Sequence, residues 1–162
     1  MDLSSAVITF RETLEAALVV GIVLAFLSRV NQKRFNRFVW LGVAAAVVGS
    51  IFTAVAFQLV AGGFEGRAEQ VFEGSTMVVA ALLLSWMILW MFRQRMSIKR
   101  HVEEKVSKAV EGQKKLELFL LSFVAVLREG VETVIFLGAA TFAGGSRANV
   151  AVGGVAGIAV AL

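Results

Sequence analysis

The sequence predicts an all-α integral membrane protein, a polytopic helical bundle built on an inverted three-helix repeat. Three observations carry this. First, 58% of the 162 residues are hydrophobic and the mean hydropathy is +0.80, too apolar for a soluble domain, with the apolar residues grouped in runs near bilayer length. Second, basic residues collect in alternate connections between the runs. Third, a charged R-E-x-x-E pattern occurs twice inside apolar surroundings, as Arg11, Glu12, Glu15 and again as Arg128, Glu129, Glu132.

The first span is expected over about residues 3–27. Residues 1–5 lack the basic start of a cleaved signal peptide, so this run is expected to stay in the mature protein. Arg29, Lys33, Arg34 and Arg37 follow it without an acid between them. The second span, about 38–61, has no charge. Glu65, Arg67, Glu69 and Glu73 then make a connection that is acidic on balance. The third span, about 74–92, ends in Trp86 and Trp90, read as interfacial anchors, and its Met77, Met87 and Met91 read as packing rather than soft metal ligands. The longest connection is strongly basic, with Lys99, Arg100, Lys105, Lys108, Lys114 and Lys115. Within it, Ile98, Val102, Val106 and Val110 recur every four residues, which predicts a cytoplasmic amphipathic helix over 97–112, lying on the membrane surface or packed under the bundle. The lone histidine, His101, falls there and reads as a solvated side chain. The fourth span, about 118–142, carries the second motif. A fifth apolar run, 148–162, stops without a flank, so a longer protein is expected.

Basic residues mark the cytoplasmic side of short loops. Applied here, this places the amino terminus outside, the first span running inward and the fourth running outward. Three spans separate one motif from its copy, and an odd number per repeat forces the copies into opposite orientations, the mark of an inverted-topology transporter. Gly21 and Gly138, at equal distances after Arg11 and Arg128, support the repeat.

Each charged side chain at the middle of a spanning helix costs about 2.5–3.5 kcal/mol on insertion scales. At helical spacing the arginine and both glutamates of a motif share one stripe, which must face the bundle interior or a water-filled path. If the two stripes meet, four carboxylates and two guanidiniums share one site with a net charge of two minus. Carboxylate oxygens suit hard or borderline cations, and without cysteine no thiolate ligand exists. The arginines can hold the carboxylates when no cation is present and can weaken cation binding enough for release; the alternative is that each only neutralises its own glutamate neighbours for helix packing. Glu65, Glu69 and Glu73 are candidates for an outer entry that concentrates cations.

The paired motifs in the first and fourth spans resemble those of the iron permease family, which includes fungal high-affinity and bacterial iron-uptake permeases; Glu73 and Gly74, with Met87, Trp90 and Met91, fit the same resemblance. It implies a protein of about seven spans, and a permease importing iron ions across the cytoplasmic (inner) membrane. It also implies Glu12, Glu15, Glu129 and Glu132 as metal ligands, Arg11 and Arg128 as their charge partners, and an oxidase or metal-binding protein on the outer side. Thr13 stands where the other copy has Gly130. Uptake of another cation, such as lead or manganese, is the nearest alternative. Iron is expected as transported substrate, with no permanent cofactor. Besides the lipid bilayer, no nucleic-acid partner is expected. No enzyme activity is expected either: a bridged-carboxylate enzyme would want E-x-x-H pairs in its helices, and no G-x-x-x-x-G-K-[ST] loop is present.

Overall fold

The computed structural model describes residues 2–94, 98–112 and 114–161, without the side chains of 90–94, 98–101 and 111. The readings of Trp90, Met91, Ile98 and His101 therefore lie outside the described side chains. Among the described residues the chain forms six α-helices and one 3-10 turn, without a strand. The helices are α1 (Leu3–Arg29), α2 (Asn36–Gly62), α3 (Arg67–Gln94), α4 (Ile98–Glu111), α5 (Lys115–Phe142) and α6 (Arg147–Ala161).

At 1.5 Å per residue, α1, α2, α3 and α5 are each about 40 Å long, enough to cross a hydrocarbon core. By length and composition, the stretches Lys33–Gly62 and Arg67–Leu89 are apolar enough to do so. Helices α1 and α5 match them in length but carry the motif charges at mid-length. Side chains such as Phe52, Leu59 and Trp86, each more than two-thirds exposed, belong against lipid or further protein rather than water.

Helices α1 and α5 are antiparallel and cross near their middles. Val20, Val23 and Leu27 from the end of α1 pack with Phe35, with Val39 of α2 and with Leu118 at the start of α5. Toward the opposite end, Ile8 of α1 packs with Ile135, Phe136 and Ala139 of α5. The outer pairings repeat the same idea, because α2 lies along α5 and α6 lies along α1.

The two pairings share a register. A Cβ on Gly42 of α2 would meet Phe119 O, Ser122 Cβ and Phe123 N of α5, and a Cβ on Gly153 of α6 would meet Asp2 O, Ser5 Cβ and Ala6 N of α1. When the two motifs are superposed, Asp2, Ser5 and Ala6 are the counterparts of Phe119, Ser122 and Phe123. One residue without a side chain in each half thus lets two helix backbones touch at the same level, as small residues do between membrane helices. Ser5 and Ser122, both fully buried, occupy matching places beneath them.

One end of the bundle is basic. Arg29, Lys33, Arg34, Arg37, Lys114 and Lys115 gather where α1 ends and α2 and α5 begin, with Arg34, Arg37 and Lys115 over the rings of Phe35 and Phe38. Helix α4 packs under this end through Val106 and Ala109, both essentially fully buried, and Arg29 reaches Glu103 at 3.4 Å. At the opposite end Phe57, Phe64, Phe72 and Phe142 form a chain of rings 5.2–6.1 Å apart that ties α2, α3 and α5 together.

Candidate metal site

The crossing of α1 and α5 sets the two motifs face to face. Glu12 points into the contact and its side chain is 1% exposed; that of Glu129 is 11% exposed. Glu12, Glu15 and Glu129 each offer one carboxylate oxygen, and these three oxygens all lie within 4.8 Å of one another. It is the sole cluster of three or more such groups among the described residues. Three oxygens at that separation can surround a cation, since typical oxygen–cation distances of about 2.0–2.6 Å fit inside such a triangle with little closure.

The arginines hold the carboxylates from the flank. Arg11 donates from Nη1 to Glu12 Oε1 at 3.0 Å and from Nη2 to Glu15 Oε1 at 2.8 Å. Arg128 donates from Nε to Glu132 Oε1 at 2.8 Å and stands 3.9 Å from Glu129 Oε1. Glu132 is thereby held beside Arg128 and falls outside the group of three. Of the four glutamates expected from the sequence, the structure brings three together and leaves the fourth at their edge.

Two atoms define the need of this site. Glu12 Oε2 and Glu129 Oε2 are buried and accept no hydrogen bond from any other residue, and the two carboxyl groups face each other at hydrogen-bond range, so a shared proton or a cation is needed between them. Nearby hydroxyls do not serve them. Thr9 Oγ1 donates to Ser5 O at 2.8 Å, Thr13 Oγ1 to Thr9 O at 2.7 Å and Thr133 Oγ1 to Glu129 O at 2.7 Å, each bond staying within its own helix.

The structure also accounts for glycine at 130, where the other copy has Thr13. A Cβ at Gly130 would collide with Ser50 of α2, whose Oγ is already committed to Ala46 O at 2.8 Å. Only glycine fits between α2 and the carboxylates there, whereas the matching Thr13 side chain has room. No signal in the sequence marks Ser50, because the contact joins residues far apart in the chain.

The three candidates for a cation entry do not share one helix. Glu65 precedes α3, which starts at Arg67 after a turn with Gly66 at φ 63°, so only Glu69 and Glu73 share a helix. Glu69 is exposed and Glu73 half-buried. Met87, 2% exposed, packs with Ala80 and Phe136, and Trp86 points outward. A cavity of about 400 Å³ lies between α2, α3 and α5; Phe57, Val60, Phe72, Thr76 and Val79 line it with no charged group.

Comparison with known proteins agrees with this picture. The model of the iron permease FTR1 family matches residues 2–162. An uncharacterized protein of Archaeoglobus fulgidus is 36% identical over 156 residues, which cover 96% of this chain and 53% of that protein. The ferrous iron permease EfeU of Yersinia pestis is 36% identical over 135 residues, covering 82% of this chain and 48% of the relative. EfeU of Escherichia coli O6:H1 is 33% identical over 135 residues, covering 82% and 49%. The chain spans about half the length of the curated relatives it matches. No solved structure matches it. With the family match running over virtually its whole length, the chain belongs to the iron permease FTR1 family.

Proposed function

We propose that this chain forms the cation-binding core of a permease that imports iron ions across the cytoplasmic membrane. The observation that carries the reading is the triangle of Glu12, Glu15 and Glu129 oxygens, two of whose carboxyl groups bury an oxygen that no other residue serves. The ligands are Glu12, Glu15 and Glu129, with Glu132 joining as the ion moves. The four motif carboxylates against the guanidiniums of Arg11 and Arg128 leave the site two minus when all are ionised, so a divalent cation neutralises it. Arg11 already bonds two of the three carboxylates; an entering ion competes with it, which lowers affinity and lets the ion leave again.

The basic end lies on the cytoplasmic side and the amino terminus outside, in a bacterial or archaeal inner membrane. Glu69 and Glu73, near the opposite end, draw cations toward the bundle, where an outer oxidase or metal-binding protein delivers them. The chain works as a transporter, in keeping with its family, and carries out no covalent chemistry on its cargo.

The test is metal uptake by the full translated protein in liposomes, read for iron, manganese and lead. Glu12→Gln and Glu129→Gln are each expected to abolish uptake and the metal-induced thermal stabilisation. Unchanged iron uptake in both variants would discard the site. Uptake of manganese or lead in preference to iron would keep the site and change the cargo.

A further inference from the structure

The basic end of the bundle holds more cations than its carboxylates serve. Arg29 and Lys114 have acidic partners, Glu103 at 3.4 Å and Glu117 at 2.6 Å. No carboxylate among the described residues pairs with Lys33, Arg34, Arg37 or Lys115, all of them exposed. Positive charge in a cytoplasmic connection is what topology asks for. Topology does not ask that the charges converge. Arg37 of α2 and Lys115 of α5 stand over one ring, that of Phe38, at 5.1 and 5.7 Å, so two adjacent helices present cations at the same spot. Arg34, four residues before Phe38, has its guanidinium 4.9 Å from the Phe35 ring and its Nε on Gln32 Oε1 at 3.0 Å. Like charges gathered in this way repel, and an anion set among them removes that cost.

The helix surface next to the cluster is apolar. Phe38 and Leu41 share one face of α2, and Leu116 and Leu120 share one face of α5. Leu41, Leu116 and Leu120 are 53%, 66% and 44% exposed. At Gly42 the backbones of the two helices touch, so a molecule bound here lies along the groove and not between the helices. The place therefore suits a ligand with an anionic head and an apolar tail. A soluble anion would use the cations and leave the leucines bare.

We propose that Arg34, Arg37 and Lys115 form a binding site for an anionic phospholipid, its phosphate between the cations and its acyl chains along Leu41, Leu116 and Leu120. Guanidinium and ammonium groups make short, charge-assisted hydrogen bonds to phosphate oxygens, and basic pockets between membrane helices on the cytoplasmic side hold such headgroups. A lipid bound there ties the start of α2 to the start of α5, the pair that sets Ser50 against Gly130 beside the carboxylates. The site does not depend on which ion the glutamates carry.

The test melts the detergent-solubilised full translated protein with added phosphatidylglycerol or phosphatidylcholine of the same chain length. Phosphatidylglycerol is expected to raise the melting temperature by several degrees and phosphatidylcholine to leave it in place. Each variant is read against its own lipid-free melt. Arg37→Gln combined with Lys115→Gln is expected to weaken phosphatidylglycerol binding about thirtyfold, and Lys115→Gln alone, which carries the test if the double variant does not fold, about fivefold. Lys105→Gln combined with Lys108→Gln removes the same charge from exposed positions of α4 and is expected to leave binding nearly unchanged. Equal shifts with the two lipids overturn the proposal, as does an α4 variant that loses as much as the groove variant, which would mean diffuse attraction to the whole basic end. An equal shift with inorganic phosphate or glycerol phosphate also overturns it, because the ligand would then be a soluble anion. None of these readings involves metal, so failure here and failure of the iron reading remain distinct.

Discussion

Replacing Gly42 by valine tests the inverted packing most directly. A Cβ there stands 2.5 Å from Phe119 O and 3.1 Å from both Phe123 N and Ser122 Cβ, while favourable contact between heavy atoms begins near about 3.5 Å. Two of the three obstacles are backbone atoms of α5, which cannot rotate aside, so α2 and α5 must part by roughly 1 Å. Overpacking of this kind costs about 1–3 kcal/mol, and for a chain of this size that lowers the melting temperature by roughly 3–10 °C. Gly153→Val meets Ser5 Cβ at 3.2 Å and Ala6 N at 3.3 Å, besides Asp2 O, so it is expected to cost a similar amount. Gly74→Val in α3, where nothing lies within 4 Å, is the control and is expected to be near neutral. The assay is the temperature at which the detergent-solubilised full protein loses its monodisperse elution peak. If Gly42→Val and Gly153→Val melt with Gly74→Val, helix contact at matching levels in the two halves is wrong.

Three further outcomes follow from single contacts. Arg11→Ala strands Glu12 and Glu15 beside Glu129 without their guanidinium; breaking a buried pair costs about 3–5 kcal/mol, reduced here by the partial exposure of Arg11, and added divalent metal is expected to restore stability more strongly than in the parent, read as a larger metal-induced melting shift. Phe57→Ala removes the ring packed on Gly138, Phe72 and Phe142; because that ring is only half-buried, the loss is expected at the lower end of the about 3–5 kcal/mol seen for phenylalanine truncation, checked by the same melting assay. Asp2 caps α1, its carboxylate accepting from the Ser5 hydroxyl and, at 3.0 Å, from the Ser5 amide, and these bonds, the hydroxyl first, hold its pKa below the ordinary value. A lowered carboxyl pKa contributes stability that is present above the unfolded value near about 4 and is lost as pH falls through the folded value. The protection of first-turn amides of α1, exchange being taken relative to the intrinsic rate at each pH, is therefore expected to fall below about pH 4, and in Asp2→Ala to be low at every pH.

The helices were legible because their signals are local. Runs of apolar residues and four-residue steps of valine do not depend on anything distant, and α1, α2, α5 and the amphipathic helix α4 lie where those signals fall. The bounds were less so: α3 begins at Arg67, before the apolar run near Gly74, because Glu69 and Gln70 in its first turn are polar yet helical. The motif residues were legible as well, since three charges in an apolar run are costly wherever they stand. What the sequence could not carry was distance. Whether Glu15 or Glu132 completes a triangle depends on which arginine nitrogen each carboxylate finds. The fit of Ser50 against Gly130, like that of Gly42 against Ser122, is set by how closely separate helices approach.

Symmetry explains why Glu12 and Glu129 meet and the other two do not meet equally. Two helices related by an approximate twofold axis bring matching residues together only near that axis, and Glu12 and Glu129 are the matching pair at the crossing. Glu15 and Glu132 lie one turn further along their helices, away from the axis, where small differences decide. Arg11 grips Glu12 and Glu15 with separate Nη atoms and so draws Glu15 toward the crossing, while Arg128 meets both its glutamates through Nε and holds Glu132 the closer, at 2.8 Å against 3.9 Å. Metal titration of the four single Glu→Gln variants should then divide in a set way. Glu12→Gln and Glu129→Gln are expected to lose affinity by equal amounts, about a hundredfold or more if each gives up one charge-assisted ligand worth about 3 kcal/mol. Glu15→Gln should lose nearly as much, and Glu132→Gln tenfold or less. A Glu132→Gln loss as large as that of Glu12→Gln would mean that four carboxylates bind at once, and that the arginines do not set which of them are ligands.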